Sequence, residues 1–173
     1  MALVQINNHI VTAGNEVQNV TLTGINTDDV YMLVGNNLSV GSAGGVCDVY
    51  ATTSGSQDTT ANNEVAWLDL KTSGSYQKFG NTSNQSMWRV TDGMGVLPTS
   101  ANFIMHLYNF NSSSEYSYIT MEVSSWNGSN LRGYVQGGVK KETTAHDGVL
   151  INTNQSGGGG FQAGSQFTLY KVT

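Results

Sequence analysis

Charge is scarce in this sequence. Asp, Glu, Lys and Arg make up 11% of its 173 residues, where a typical soluble domain carries about 25%. Seven are basic and twelve acidic, for a net charge of −5, and only Lys140 and Lys141 adjoin. A phosphate backbone is bound by clustered positive charge, so no nucleic-acid partner is expected. Cysteine is reduced to Cys47, which excludes an internal disulfide and any Cys-x-x-Cys metal or redox motif. A lone thiol of this kind packs as a small apolar residue. Pro98 is the single proline. Long apolar runs are missing as well. None approaches the roughly 20 residues of a membrane-spanning helix, so no membrane partner is expected. Met1–Ile6 has neither the basic region nor the apolar core of a secretory leader, and synthesis in the cytoplasm is the expectation.

Asn, Ser, Thr, Gln and Gly fill the space that charge leaves. A surface of this kind suits extensive contact with other protein, where each buried charge would need a partner. Helical periodicity is also lacking, while period-two alternation recurs. Leu3–Ile6, Val17–Thr23, Val30–Val34, Leu38–Val40, Val46–Thr53, Gln85–Val90, Ala101–Phe110, Glu115–Ser124, Leu131–Val139 and Val149–Asn152 read as strands. Glu64–Lys71 fits a helical turn and a strand equally. Gly35-Asn36-Asn37, Ser73-Gly74-Ser75, Asn111–Ser114 and Asn127-Gly128 punctuate them as turns or breaks. The run Gly157–Gly160 reads as a loose hinge, since glycine loses the most backbone entropy on ordering. Beyond it, Phe167–Val172 alternates and ends the sequence as a closing strand, placed inside a sheet with ladders on both sides. About ten strands at regular spacing predict an all-β chain: one domain over 1–173, an antiparallel, jelly-roll-like β-sandwich with a flexible N-terminal arm over 1–8.

Signals of chemistry are sparse. His9, His106 and His146 are the only histidines. No His-x-His or His-Glu-x-x-His spacing is present, so no metal and no cofactor are expected. His146-Asp147 reads as part of a turn, and Asp28-Asp29 as turn initiation and capping. No Gly-x-Ser-x-Gly elbow occurs. Glu115 and Glu122 fall on opposite strand faces, which does not suit the paired carboxylates of a glycosidase. No catalytic residue is therefore expected. The aromatic residues Trp67, Trp88, Tyr116, Tyr118 and Trp126 are the candidate interface or glycan-stacking positions, with Tyr116 and Tyr118 assigned to one strand face.

Three stretches carry a family resemblance: Val17–Ile25 with Asp29–Met32; Leu107–Asn111 with Glu115–Thr120; and Phe161–Tyr170, which ends on a Gly-Ser-x-Phe-x-Leu-Tyr pattern. Together they resemble small β-rich virion structural proteins of tailed bacteriophages common among marine and cyanobacterial phages. Lys171 stands where such proteins often have glycine. The resemblance implies a non-enzymatic component of the outer surface of the phage head, made in the host cytoplasm. Its expected role is a capsid decoration (cement) protein, a homotrimer seated on the major capsid protein. The alternative is a head-fibre or tail-associated module that binds receptor glycan. Symmetric multivalency would let several modest contacts hold a cement protein in place, with the N-terminal arm and glycine run ordering on the lattice.

Overall fold

The computed structural model describes residues 2–42, 44–74, 76–96, 100–126, 128–153 and 159–173, the side chains of 81–84, 92 and 93 excepted. It contains β1 (Leu3–Ile10), β2 (Asn19–Thr23), β3 (Tyr31–Leu38), β4 (Gly45–Thr53), β5 (Ser56–Gln57), β6 (Asn63–Lys71) and β7 (Tyr76–Gln85). These are followed by β8 (Trp88–Met94), β9 (Ala101–Tyr108), β10 (Ser117–Trp126), β11 (Leu131–Lys140), β12 (Gly148–Asn152) and β13 (Gln166–Val172). Eight strands form one antiparallel sheet in the order β1-β13-β3-β9-β10-β11-β6-β7. The other five form a second sheet, β2-β12-β4-β5, with β8 also paired to β4. This is the all-β, two-sheet architecture expected from the alternation, with thirteen strands in place of about ten.

Strand β10 shows how the sequence dictates the layering. Ser117, Ile119, Met121, Val123 and Ser125 are buried, while Tyr118, Thr120, Glu122, Ser124 and Trp126 are exposed. The period of two sends alternate side chains to opposite faces. Val20 and Leu22 of β2, Val149 and Ile151 of β12, and Cys47, Val49 and Ala51 of β4 belong to the same buried cluster. Burying each large aliphatic or aromatic side chain contributes roughly 1.5–3 kcal/mol. Cys47 is fully buried, and that burial pushes its thiol well above the ordinary range.

The closing strand lies where expected. Leu169 of β13 pairs with Asn7 of β1 on one side and Leu33 of β3 on the other. The N-terminal arm expected over 1–8 is instead mostly strand. Residues 3–10 ladder along β13, and Ala2 and Thr173 exchange both backbone hydrogen bonds, at 2.7 and 2.9 Å. Without β1, the outer edge of β13 would be left with unpaired backbone groups. The Glu64–Lys71 ambiguity resolves as strand, because β6 is flanked by β11 and β7 and its ladders on both sides outweigh local helical spacing.

The break expected at Gly35-Asn36-Asn37 is a bulge within β3, with the register shifting between Gly35 and Leu38 and Asn37 at φ 54°. Gly35 is needed there: the Phe103 ring of β9 occupies the space a Cβ would take. Part of the glycine run behaves unlike a hinge. Gly159 and Gly160 are buried, and Gly160 lies so close to the Val17 backbone that a Cβ would meet its carbonyl oxygen at 2.7 Å. Gly157, Gly158, Pro98 and Asn127 lie outside the described residues.

Candidate functional site

Two regions combine side chains in ways the fold alone does not require. One is the outer face of the eight-stranded sheet; the other is a buried ionic cluster at the end of β11.

The outer face is built from the residues that alternate away from the core. Strand register aligns Val34, Ile104, Glu122, Val135, Leu68 and Lys78 across six adjacent strands. The next row runs His106, Thr120, Gly137 and Ala66. Ile104 and Val135 are 43% and 54% exposed. A broad hollow of about 730 Å³ lies along these rows. Gly137 contributes no side chain to it, and a Cβ there would have no neighbour within 4 Å.

The five aromatic candidates do not form one platform. Trp88 is fully buried and packs against Phe110 with ring centroids 5.7 Å apart, so it belongs to the core and not to an interface or ligand surface. Sequence pattern alone did not separate it from the others, because β8 meets the core through the second sheet. Trp67 is half-buried and stacks on Phe79 of β7 at 4.9 Å. Trp126 ends β10, eight residues from Tyr118, a distance of roughly 27 Å along a strand. Only Tyr116 and Tyr118 come together. Both are exposed, and they line a shallow hollow of about 400 Å³ with Asn109, Glu115 and Thr143. Tyr116 precedes β10, so the two share this hollow and not a strand face.

The ionic cluster was not foreseen. Tyr134, Gln136, Gly138 and Lys140 share the inward parity of β11, and this alternation is the signal that puts a lysine in the interior. Lys140 is fully buried. Its Nζ lies 3.1 Å from Asp58 Oδ2, 2.9 Å from Glu142 Oε1, 3.0 Å from Asn62 Oδ1 and 3.3 Å from the Thr60 carbonyl. The second oxygens of both carboxylates are also engaged. Asp58 Oδ1 accepts from the Thr60 backbone at 2.8 Å, and Glu142 Oε2 accepts from Asn62 at 2.8 Å. Burial raises the Asp58 carboxyl, but hydrogen bonds involving Glu142, Thr60 and Lys140 outweigh it and hold Asp58 well below the usual carboxylate range. Glu142 moves the other way, raised by burial and by Asp58 against the opposing pull of Lys140 and Asn62.

His146 closes the cluster. Its ring is buried edge-on to Phe110 at 5.8 Å, with Nδ1 3.4 Å from Thr53 Oγ1. Among the described residues Nε2 has no hydrogen-bond partner; it faces Glu142 Oε1 at 3.5 Å. Burial, and then the Lys140 charge, lower its pKa from 6.5 to about 4 against the pull of Asp58, Asp147 and the Thr52 backbone. Because the folded value lies below the unfolded one, this contribution is fully present above 6.5 and is lost as pH falls toward about 4. The histidine term is worth about 3 kcal/mol across that window. Urea midpoints measured through it are expected to fall with acid, and to fall less steeply in His146→Gln.

No family model matches this chain, and a search of characterised proteins returns no match. The class of protein is therefore defined by its fold, an all-β sandwich of two antiparallel sheets.

Proposed function

We propose that this chain is a non-enzymatic structural protein of a bacteriophage virion, a capsid decoration protein that binds the head lattice through the outer face of its eight-stranded sheet. The observation that carries the reading is that face: a broad, uncovered surface with exposed Ile104 and Val135 at its centre, and Glu122 and Lys78 as the charges in its middle row. Interface cores are depleted in charge and rich in apolar and aromatic groups, with polar rims. The occupant that fits is a second broad protein surface, here the major capsid protein. A trimer would multiply modest contacts into stable attachment. The family resemblance of Phe161–Tyr170 and the two other stretches supports the same role.

A receptor module with Tyr116 and Tyr118 stacking on glycan is the second reading, favoured by their shared hollow. Counting chains per purified particle distinguishes them. A ratio near that of the capsid protein is expected for decoration, and a few per cent would sink it in favour of a fibre or tail position. A Cβ at Gly137 meets no described atom within 4 Å, so Gly137→Trp adds bulk on this face from an open position. It is expected to fold with an unchanged urea midpoint and to lose at least about tenfold in incorporation, the equivalent of 1.4 kcal/mol. Full incorporation would remove this face from the interface.

A further inference from the structure

The buried cluster carries a second inference, independent of the virion reading. We propose that Glu142 and His146, with Asp58 as the third ligand, form a binding site for a divalent transition-metal ion of the zinc class. One ligand atom from each of the three residues lies within 4.8 Å of the other two.

His146 is what separates this cluster from an ordinary group of carboxylates. It is fully buried, and its Nε2 has no hydrogen-bond partner among the described residues. The other ring nitrogen, Nδ1, lies 3.4 Å from Thr53 Oγ1. A hydroxyl both donates and accepts, so Thr53 Oγ1 can accept the ring proton from Nδ1. With the ring proton on Nδ1, Nε2 presents a lone pair to a carboxylate oxygen 3.5 Å away. Two acceptors in that arrangement repel unless positive charge lies between them. A histidine held at one ring nitrogen and presenting the other is the arrangement of metal-ligating imidazoles. Two ligand atoms of a tetrahedral zinc ion, each about 2.0–2.2 Å from it, lie roughly 3.3–3.6 Å apart. The separation of Nε2 and Oε1 falls in that interval.

Lys140 is the competing cation, and the geometry leaves room for both. Its ammonium donates to Asn62 Oδ1 and the Thr60 carbonyl and forms ion pairs with Asp58 Oδ2 and Glu142 Oε1. Glu142 Oε1 has no hydrogen-bond partner among the described residues, so its lone pair is open to a metal ion without breaking a hydrogen bond of the ammonium. Asp147 lies outside this group of three; its two oxygens accept from Thr52 Oγ1 and the Gly55 backbone, each at 2.8 Å. The entry path is a shallow surface hollow lined by Thr53, Asp58, Thr60, Glu142 and Thr144. Imidazole with carboxylate selects zinc, cobalt or nickel over magnesium or calcium, which are held by oxygen.

The test uses the full chain stripped with chelator and titrated with Co²⁺, followed by its visible absorption, and with Zn²⁺ by calorimetry. One ion per chain and a tetrahedral or five-coordinate Co²⁺ spectrum are expected. Glu142→Gln keeps the side-chain shape and is expected to weaken binding at least about tenfold. His146→Gln is expected to abolish the Co²⁺ spectrum, and circular dichroism reports whether each variant stays folded. His9→Ala with His106→Ala should bind as the unaltered chain does. No Co²⁺ spectrum in the folded, unaltered chain would overturn the site. So would binding that survives in Glu142→Gln and is lost with His9 and His106, which would mark it as adventitious surface coordination.

Discussion

Replacing Lys140 with Met lowers the stability of this chain by about 3–5 kcal/mol, the range for breaking a buried ion pair by removing one partner. Met keeps most of the apolar stem, so the loss reports on the ammonium. Asp58 and Glu142 are left facing each other without the ammonium, Asp58 keeping its Thr60 hydrogen bond and Glu142 its Asn62 one, and the Thr60 carbonyl and Asn62 Oδ1 each lose a donor. The three chain segments that meet there, the turn after β5, the end of β11 and the approach to β12, lose their common attachment. Urea denaturation in chelator, at constant pH, measures the effect as a shift in midpoint with unchanged slope. Adding Glu142→Gln to the Met variant removes one of the two opposed charges and is expected to restore part of the loss. A change below about 1 kcal/mol in the single variant would mean that the ammonium does not organise these loops.

Replacing Gly148 with Ala costs about 3 kcal/mol, at the top of the usual range for overpacking. Gly148 opens β12 and sits between Thr23 of β2 and Thr52 of β4. A Cβ there would collide with the Leu22 carbonyl oxygen and stand 2.8 Å from Thr23 Cα and 3.0 Å from Thr52 Oγ1. Two of these three are backbone atoms and cannot rotate away. The chain cannot shift either, because the Asp147 carbonyl accepts from both Gly24 and Ile25 at 3.0 Å while its N–H donates to the Thr52 carbonyl at 3.0 Å. Gly137→Ala is the matched control, in a strand with open space at the Cβ position, and is expected to stay within about 0.5 kcal/mol of the unaltered chain. Equal effects at the two glycines would show that loss of glycine itself, and not the β2–β12 contact, sets the cost.

These two sites mark the limit of what alternation conveys. Ile119, Met121 and Val123 are core and Thr120, Glu122 and Ser124 are surface because a strand has a period of two, and any reader of the sequence can place them. The placement of β13 was legible for a related reason: a run of alternating β-formers with an apolar face is best satisfied by neighbours on both edges. Trp88 was misjudged because its burial depends on β8 packing against the eight-stranded sheet, over Gly138 of β11, and against Phe110, contacts between residues far apart in sequence. The strand at 3–10 was missed in part because its partner, β13, lies at the far end of the chain.

By itself, then, the sequence determined that the chain is all-β, that alternate residues of its strands form the core, and that its surface is weakly charged. Those properties follow from the local period of the backbone and from side-chain chemistry. The tertiary structure alone decided which strands are neighbours, which glycines lie under another backbone, and that Asp58, Lys140, Glu142 and His146 meet. These are long-range contacts. The sequence supplies an inward-pointing lysine at the end of β11, but only sheet order and loop path bring two carboxylates and an imidazole to the same few ångströms.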